Sequence, residues 1–438
     1  MQKREIKKII EKENLAFIYL QFSDLFGQVK TIVIPASLWE KVLEEGIWFD
    51  GSSIEGFARI SESDMRLRPD PQTFAVLPWS EPERKAGRFI CNIYNSKDRR
   101  LPADPRFILE KAISQAKKLG YHYLVGAEFE FYLFERSFLP QLQPHDNKSY
   151  FDYTPHSRAS AICEKVIQAL LSFGIKAEAH HHEVGPGQHE IDLHYDEALK
   201  TADNIMTLKM TLKAFTGQSD LKAVWMAKPI KGLPGNGLHI HQSLWKKGKN
   251  LFYQKNGQYQ LSSLALNFLA GQLTHAKALS ALVSPTVNSY KRLVSGFEAP
   301  VYICWGQTNR SSLIRIPQNI PQKAKISTRL EYRAPDPTAN PYLALAGLLS
   351  AGLEGIKRKI SPPPPVEENV YEFDFHELLR NKIDLLPESL REAINALKED
   401  QLILEVLGRA KNRYLEIKER EWKEFLVEVT DWEKERYL

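Results

Sequence analysis

The sequence is poor in every feature that marks an exported, membrane-embedded or nucleic-acid-binding chain. Only three cysteines occur in 438 residues, Cys91, Cys163 and Cys304. They are scattered, odd in number and without a CxxC pair, which argues against a disulfide framework or a zinc knuckle and fits a reducing cytoplasm. No window approaches the ~20 apolar residues needed to span a bilayer. The N-terminus, MQKREIKKIIEKENL, has the pattern of a charged amphipathic helix and lacks the apolar core of a signal peptide. The expectation is a cytoplasmic protein with no membrane partner. A dominant charge is missing too: 59 Lys+Arg against 54 Asp+Glu leave +5, spread along the chain, so no nucleic-acid partner is implied. With 23 Gly, 25 Pro and no internal repeat, fibrous and low-complexity classes are excluded.

What remains is a globular composition, 43% hydrophobic and 26% charged, in a chain long enough for two domains. After the opening helix, residues 15–34 read as two β-rich runs around a polar turn at Asp24 to Gln28, the start of a small sheet domain. Asp104 followed by Pro105 reads as an N-cap with proline at the first helical position, and the boundary is placed there: 1–103, then 104–438. The second part alternates strands and helices, an α+β domain, and its proline run at 361–366 reads as a rigid loop.

Four strand-like segments concentrate chemistry. In Val125-Gly-Ala-Glu-Phe-Glu-Phe-Tyr, a period of two puts Glu128 and Glu130 on one face and Phe129 and Phe131 on the other. Two neighbouring carboxylates repel unless solvated or sharing a cation. In His180-His-His-Glu183-Val-Gly-Pro-Gly-Gln-His-Glu190, a Gly-Pro-Gly turn folds two glutamates toward one point. In Gly235-Asn-Gly-Leu-His239-Ile-His241-Gln-Ser243, both histidines and Ser243 share a face, and Arg329-Leu-Glu331-Tyr-Arg333 sets a carboxylate between two guanidiniums. Any one alone reads equally well as a surface or structural strand. Together, five glutamates and a histidine make adjacent oxygen-rich metal sites, and Arg292, Arg310, Arg315, Arg329 and Arg333 suit phosphate and carboxylate. That is the outfit of phosphoryl transfer.

These segments, with FDGSSIEGF (49–57), GFARISESDM (56–65), VNSYKRL, NRSSLIRIP, RLEYRAPDPTANPYLALAGLL and the ending WEKERYL, make the whole chain resemble type I glutamine synthetases, in their shorter, non-adenylylated form. The resemblance implies a β-grasp N-terminal domain, a catalytic domain with an open barrel-like sheet, and a homododecamer of two hexameric rings with active sites between subunits. It implies ATP-dependent joining of ammonia to the γ-carboxylate of glutamate through γ-glutamyl phosphate. It implies two to three Mg²⁺ or Mn²⁺ ions, one on Glu130, Glu183 and Glu190 and another on Glu128, His239 and Glu331. ATP is expected against Glu178, Tyr195, His241, Ser243, Arg310, Arg315 and Arg329. Glutamate is expected against Glu130, Pro234, Gly235, Arg292, Glu298 and Arg333. Asp50 from a neighbouring subunit is expected to deprotonate ammonium, Glu298 to close the site and Arg310 to assist transfer.

The chain departs from the family at Pro234-Gly-Asn-Gly237, where Asn-Gly-Ser-Gly is usual, and proline is expected to stiffen the glutamate loop. Ser295, Phe297 and Thr308 are smaller departures. Ile383 stands near the place of the tyrosine modified in adenylylated relatives, and Arg59 near an arginine tied to feedback inhibition by glutamine. Two other readings compete with ammonia ligation: a γ-glutamyl ligase for larger amines, which the altered loop keeps open, and a glutamine sensor that holds a regulatory protein partner.

Overall fold

The computed structural model describes residues 1–54, 64–296 and 299–438. The opening helix, Lys3–Glu13, is closed by a capping box between Gln2 and Glu5 and buries Ile6 and Ile10, one turn apart on one face. The two β-rich runs pair as expected: β1 (Phe17–Ser23) and β2 (Val29–Pro35) form an antiparallel hairpin. Asp24 fixes its turn by accepting the N–H groups of Phe26 and Gln28, both at 2.9 Å. With β3 (Ile47–Asp50), β4 (Asp64–Pro69), β5 (Ala75–Val76) and β6 (Ala86–Asn95) they make a six-stranded sheet in the order β2-β1-β6-β4-β3, with β5 beside β6.

The next helix, Pro105–Lys118, starts where sequence placed it, with the Asp104 carboxylate accepting the N–H of Arg106. Arg106, 4% exposed, turns inward and joins the two sheets' regions. It donates to Asp203 at 3.1 and 3.0 Å, to Asp70 at 2.9 Å and to Asn92 at 2.7 Å. Such a pairing satisfies a charge that burial alone would make costly. A second tie comes from Asn340, which caps helix Pro341–Arg358 and donates to the carbonyls of Asp24 and Leu25. The φ of +72° at Gly27 in that hairpin turn, and the 2.9 Å that a Cβ there would leave to Asn340 Cα, require glycine.

The large sheet has ten strands: β7 (His122–Glu135), β8 (Ala177–His182), β9 (Gln188–Glu197), β10 (Leu221–Val224), β11 (Leu238–Lys246), β12 (Lys249–Asn250), β13 (Tyr302–Gly306), β14 (Ser312–Arg315), β15 (Leu330–Tyr332) and β16 (Asp384–Leu385). Its order is β16-β13-β14-β15-β11-β7-β9-β8, antiparallel except between β13 and β14. One face packs on helices that include Ala198–Gly217, and the almost wholly buried Pro341–Arg358 packs among these helices. The proline run lies in a segment without regular structure before the last helices. Among the described residues no helix is long and apolar enough to cross a membrane.

Candidate active site

Alternation and register together build a cleft on the other face. On β7, Glu128 and Glu130 leave the strand opposite Phe129 and Phe131, both fully buried. Register then chooses their neighbours. Glu130 lies across from Glu190 on β9, and Glu190 from His181 on β8. One row along, Glu128 lies between Asp192 on β9 and His239 on β11. A third row runs from His241 through Glu331 on β15 to Arg315 on β14. Directly opposed residues on one face stand ~5 Å apart at Cβ, so polar side chains from β8 across to β14 converge.

His239 Nδ1 lies 2.9 Å from Glu128 and 3.9 Å from Glu331, with its Nε2 3.8 Å from Glu130. The other Glu128 oxygen meets His241 Nε2 at 2.7 Å, and His241 Nδ1 accepts from Arg329 at 3.1 Å. His181 lies 3.1 Å from Glu190 and 3.6 Å from Glu183. Within the cleft, two groups among the described residues are close enough to share an ion: Glu128, Glu190 and His239, and His181, Glu183 and Glu190. Glu190 therefore stands between the two sets that the sequence kept apart.

The electrostatics favour cations. Burial and the neighbouring Glu130 and Glu128 carboxylates push Glu190 up to about 12. Burial and Glu128 raise Asp192 as well. Burial opposes ionisation of Glu128 too, but His241 and His239 outweigh it and hold that carboxyl well below its usual range. Glu331, 1% exposed, ionises against its burial because Arg333, at 2.5 Å, and the histidines stabilise the anion. Arg315 holds its other oxygen at 3.0 Å. Five carboxylates and one imidazole at this density fit divalent cations that accept oxygen and mixed ligands.

Two cavities meet at Glu128 and Asp192. One, about 520 Å³, is lined by the metal candidates and by Pro234, Gly235, Arg292, Arg310, Arg315 and Arg333. The other, about 410 Å³, is lined by Glu178, Tyr195, His241, Ser243 and Arg329. Of the residues expected to meet ATP, Arg310 and Arg315 line the first cavity instead of the second.

The glycines of Pro234-Gly-Asn-Gly237 make room for the site. A Cβ on Gly235 would stand 2.5 Å from the Ala227 carbonyl; one on Gly237 would meet His239 Nε2 at 2.7 Å, Glu130 at 2.9 Å and Arg292 at 3.0 Å. Tyr132 donates to the Pro234 carbonyl at 2.8 Å, Asn236 to the Met226 carbonyl at 2.8 Å, and Gln188 to the Gly235 carbonyl at 3.0 Å. The loop is anchored at three points, so its stiffness does not rest on proline alone. Arg292 is buried and donates to the carbonyls of Ala334 and Arg333.

Sequence reasoning missed Gln188 and Asp192, although alternation from Glu190 along β9 puts all three on one face. It also missed Tyr150, which lines the first cavity with its ring 5.6 Å from that of His181. Asp50, at the end of β3, accepts from Ser52 and lines neither cavity. Glu298, Phe297 and Arg59 lie outside the described residues. Thr308 folds back on Glu367, which accepts from its N–H and hydroxyl. Ile383 packs on a small cluster around Val301, Tyr302 and Val370.

Known proteins share this architecture. A family profile described as "Glutamine synthetase, catalytic domain" matches residues 102–437, and "Glutamine synthetase, beta-Grasp domain" matches 14–96. Glutamine synthetase of Thermus thermophilus is 46% identical over 443 residues, covering 100% of this chain and 98% of the relative. That of Thermotoga maritima is 46% identical over 436 residues, covering 99% and 98%. Among solved structures, one described as a GmaS/ADP complex superposes with a TM-score of 0.90 at 31% identity, covering 99% of both chains. Plasmodium falciparum glutamine synthetase superposes with a TM-score of 0.89 at 25% identity, covering 100% and 99%.

Proposed function

The chain belongs to the glutamine synthetase family and forms glutamine from glutamate and ammonia with ATP; from that premise we propose how its residues divide the work. The two joined cavities carry the reading: one is acidic and ringed by arginines, the other is lined by Glu178, Tyr195, His241, Ser243 and Arg329, and Glu128 and Asp192 stand at their junction. ATP enters the second, with Tyr195 beside its base and Glu178, His241, Ser243 and Arg329 along it. Its terminal phosphates point through the junction toward Arg310 and Arg315. Glutamate lies in the first cavity, its charged ends against Arg292, Arg333 and the anchored Gly235 loop, with Glu298 covering the entrance.

Glu130, Glu183 and Glu190 hold one divalent cation and Glu128, His239 and Glu331 a second, with a third more weakly held. Bound Mg²⁺ or Mn²⁺ neutralises these carboxylates and polarises the phosphoryl group in transit. Arg310 and Arg315 bear the charge that develops on the transferred group, and Glu331 already positions Arg315. The glutamate γ-carboxylate becomes an acyl phosphate, and ammonia displaces phosphate from it. Ammonium carries no free lone pair, so Asp50, supplied by a neighbouring copy in a two-ring dodecamer, takes its proton. The test is phosphate release by purified protein with ATP, glutamate and Mg²⁺ or Mn²⁺. Ammonia should stimulate it; stimulation by a larger amine in place of ammonia would refute the choice of amine.

A further inference from the structure

Strand alternation sends His181 and Glu183 into the cleft and His182 to the opposite face of β8. There it meets residues that the proposed reaction does not use. His189 is its cross-strand partner on β9, and His145 comes from the segment between β7 and helix Arg158–Ser172. One ring nitrogen from each of the three lies within 4.8 Å of the others. Asp146 joins two of them: its oxygens stand 3.2 and 3.3 Å from His182 Nε2 and one stands 3.4 Å from His145 Nε2. The His145 and His189 Nε2 atoms are 2.9 Å apart, one donating to the other. The side chains are buried, with Asp146 the most exposed at 17%.

The surroundings aim these atoms inward. His182 Nδ1 donates to the Glu183 carbonyl at 2.7 Å, which leaves the lone pair on Nε2. Asp146 is held by the Gly187 N–H at 2.7 Å, and the His145 N–H donates to the Leu133 carbonyl at 3.2 Å. A tetrahedral ion with bonds of ~2.0–2.1 Å has ligand atoms roughly 3.3 Å apart. The distances from Asp146 to His145 and His182 already match, and the His145–His189 pair must part by a few tenths of an ångström. Three imidazoles and one carboxylate form a nitrogen-rich set that selects zinc-type ions over the Mg²⁺ or Mn²⁺ of the oxygen-rich cleft.

We propose that His145, Asp146, His182 and His189 form a structural site for a zinc-class cation on the reverse face of the β8–β9 hairpin. The ion would clasp the segment that carries Tyr150 and Phe151, whose rings border His181, and so steady one wall of the cleft.

The experiment uses the full chain stripped with EDTA and titrated with Co²⁺ alone. Wild type should take up about one more Co²⁺ per subunit than His145→Ala or His145→Gln, with the intense visible absorption of a four-coordinate ion. Glu331→Gln, altered only in the cleft, should keep that absorption. Equal uptake by wild type and the His145 variants overturns the proposal and leaves a hydrogen-bonded clasp. Should both variants unfold, wild type and Glu331→Gln decide alone, and absence of the intense band from wild type overturns the site. Either failure leaves the ligase reading of the cleft intact.

Discussion

Replacing Gly237 with alanine adds one methyl at the most crowded point of the cleft. It would stand 2.7 Å from His239 Nε2, 2.9 Å from Glu130 and 3.0 Å from Arg292, where carbon contacts relax at ~3.5–4.0 Å. Each neighbour must therefore retreat by roughly 0.5–1 Å. Arg292 cannot, because two carbonyls hold it, so the movement falls on His239 and Glu130. Displacements near 1 Å in a reacting geometry cost about 10²-fold in rate, and overpacking costs ~1–3 kcal/mol in stability. The expectation is a fall of about 10–10²-fold in ammonia-dependent phosphate release and a weaker Mn²⁺ midpoint, read by metal titration of tryptophan fluorescence. Gly217→Ala is the control. Nothing lies within 4 Å of its Cβ position at a helix end, so rate and midpoint should not change. A Gly237→Ala protein with the wild-type midpoint and rate would refute the claim that this glycine is required by proximity to metal ligands.

Glu183→Gln and Glu331→Gln should each lower phosphate release by at least ~10²-fold, the loss of one charged ligand, while gel filtration shows the assembly intact; full activity would remove that ligand from the site. Glu190 is raised in the metal-free protein, so its charge weakens folding as pH rises above the ordinary carboxyl range toward about 12. Glu190→Gln should therefore melt higher than wild type in EDTA at pH 8 and gain less on adding Mn²⁺; thermal denaturation with both proteins giving the same metal-induced rise would contradict this. Asp50→Asn should reduce glutamine synthesis far more than acyl-phosphate formation, and equal loss in the two partial assays would make Asp50 a positioning or assembly residue. Arg59→Ala should weaken inhibition by glutamine with catalysis largely kept, and unchanged inhibition curves would end the regulatory role.

Local rules read much of this molecule from its sequence, because they act within a few residues. The hairpin around Asp24, the capped helix at Asp104 and the face shared by Glu128 and Glu130 all follow from turn chemistry, capping and alternation. Register is different. Whether Glu128 faces His239 or its neighbour depends on pairing between strands far apart in the chain, and no local pattern fixes it. That is why the pattern groups Glu190 with Glu130 and Glu183 and gives no sign that it also stands beside Glu128 and His239. His182 was hidden for a related reason: in a run of three histidines, only the pleat separates the one facing the cleft from the one facing away. His145 offered no signal, since it lies in an irregular segment and acquires its neighbours only when β8 and β9 pair.

The three rows of the cleft also bear on when the protein can become itself. Glu128 lies on an early strand of the large sheet, and Glu331 on a late one that pairs with β11. A chain still emerging from the ribosome through its first three hundred residues carries the acidic strand without Arg315 of β14 and Glu331 of β15. Such a nascent chain holds Glu130, Glu183 and Glu190 of one proposed ion set but lacks Glu331 of the other, and contacts this distant in sequence form slowly. Occupancy of both cation sites then rewards only the finished polypeptide, and a truncated product is left with part of the repulsion unrelieved, an exposed target for proteolysis.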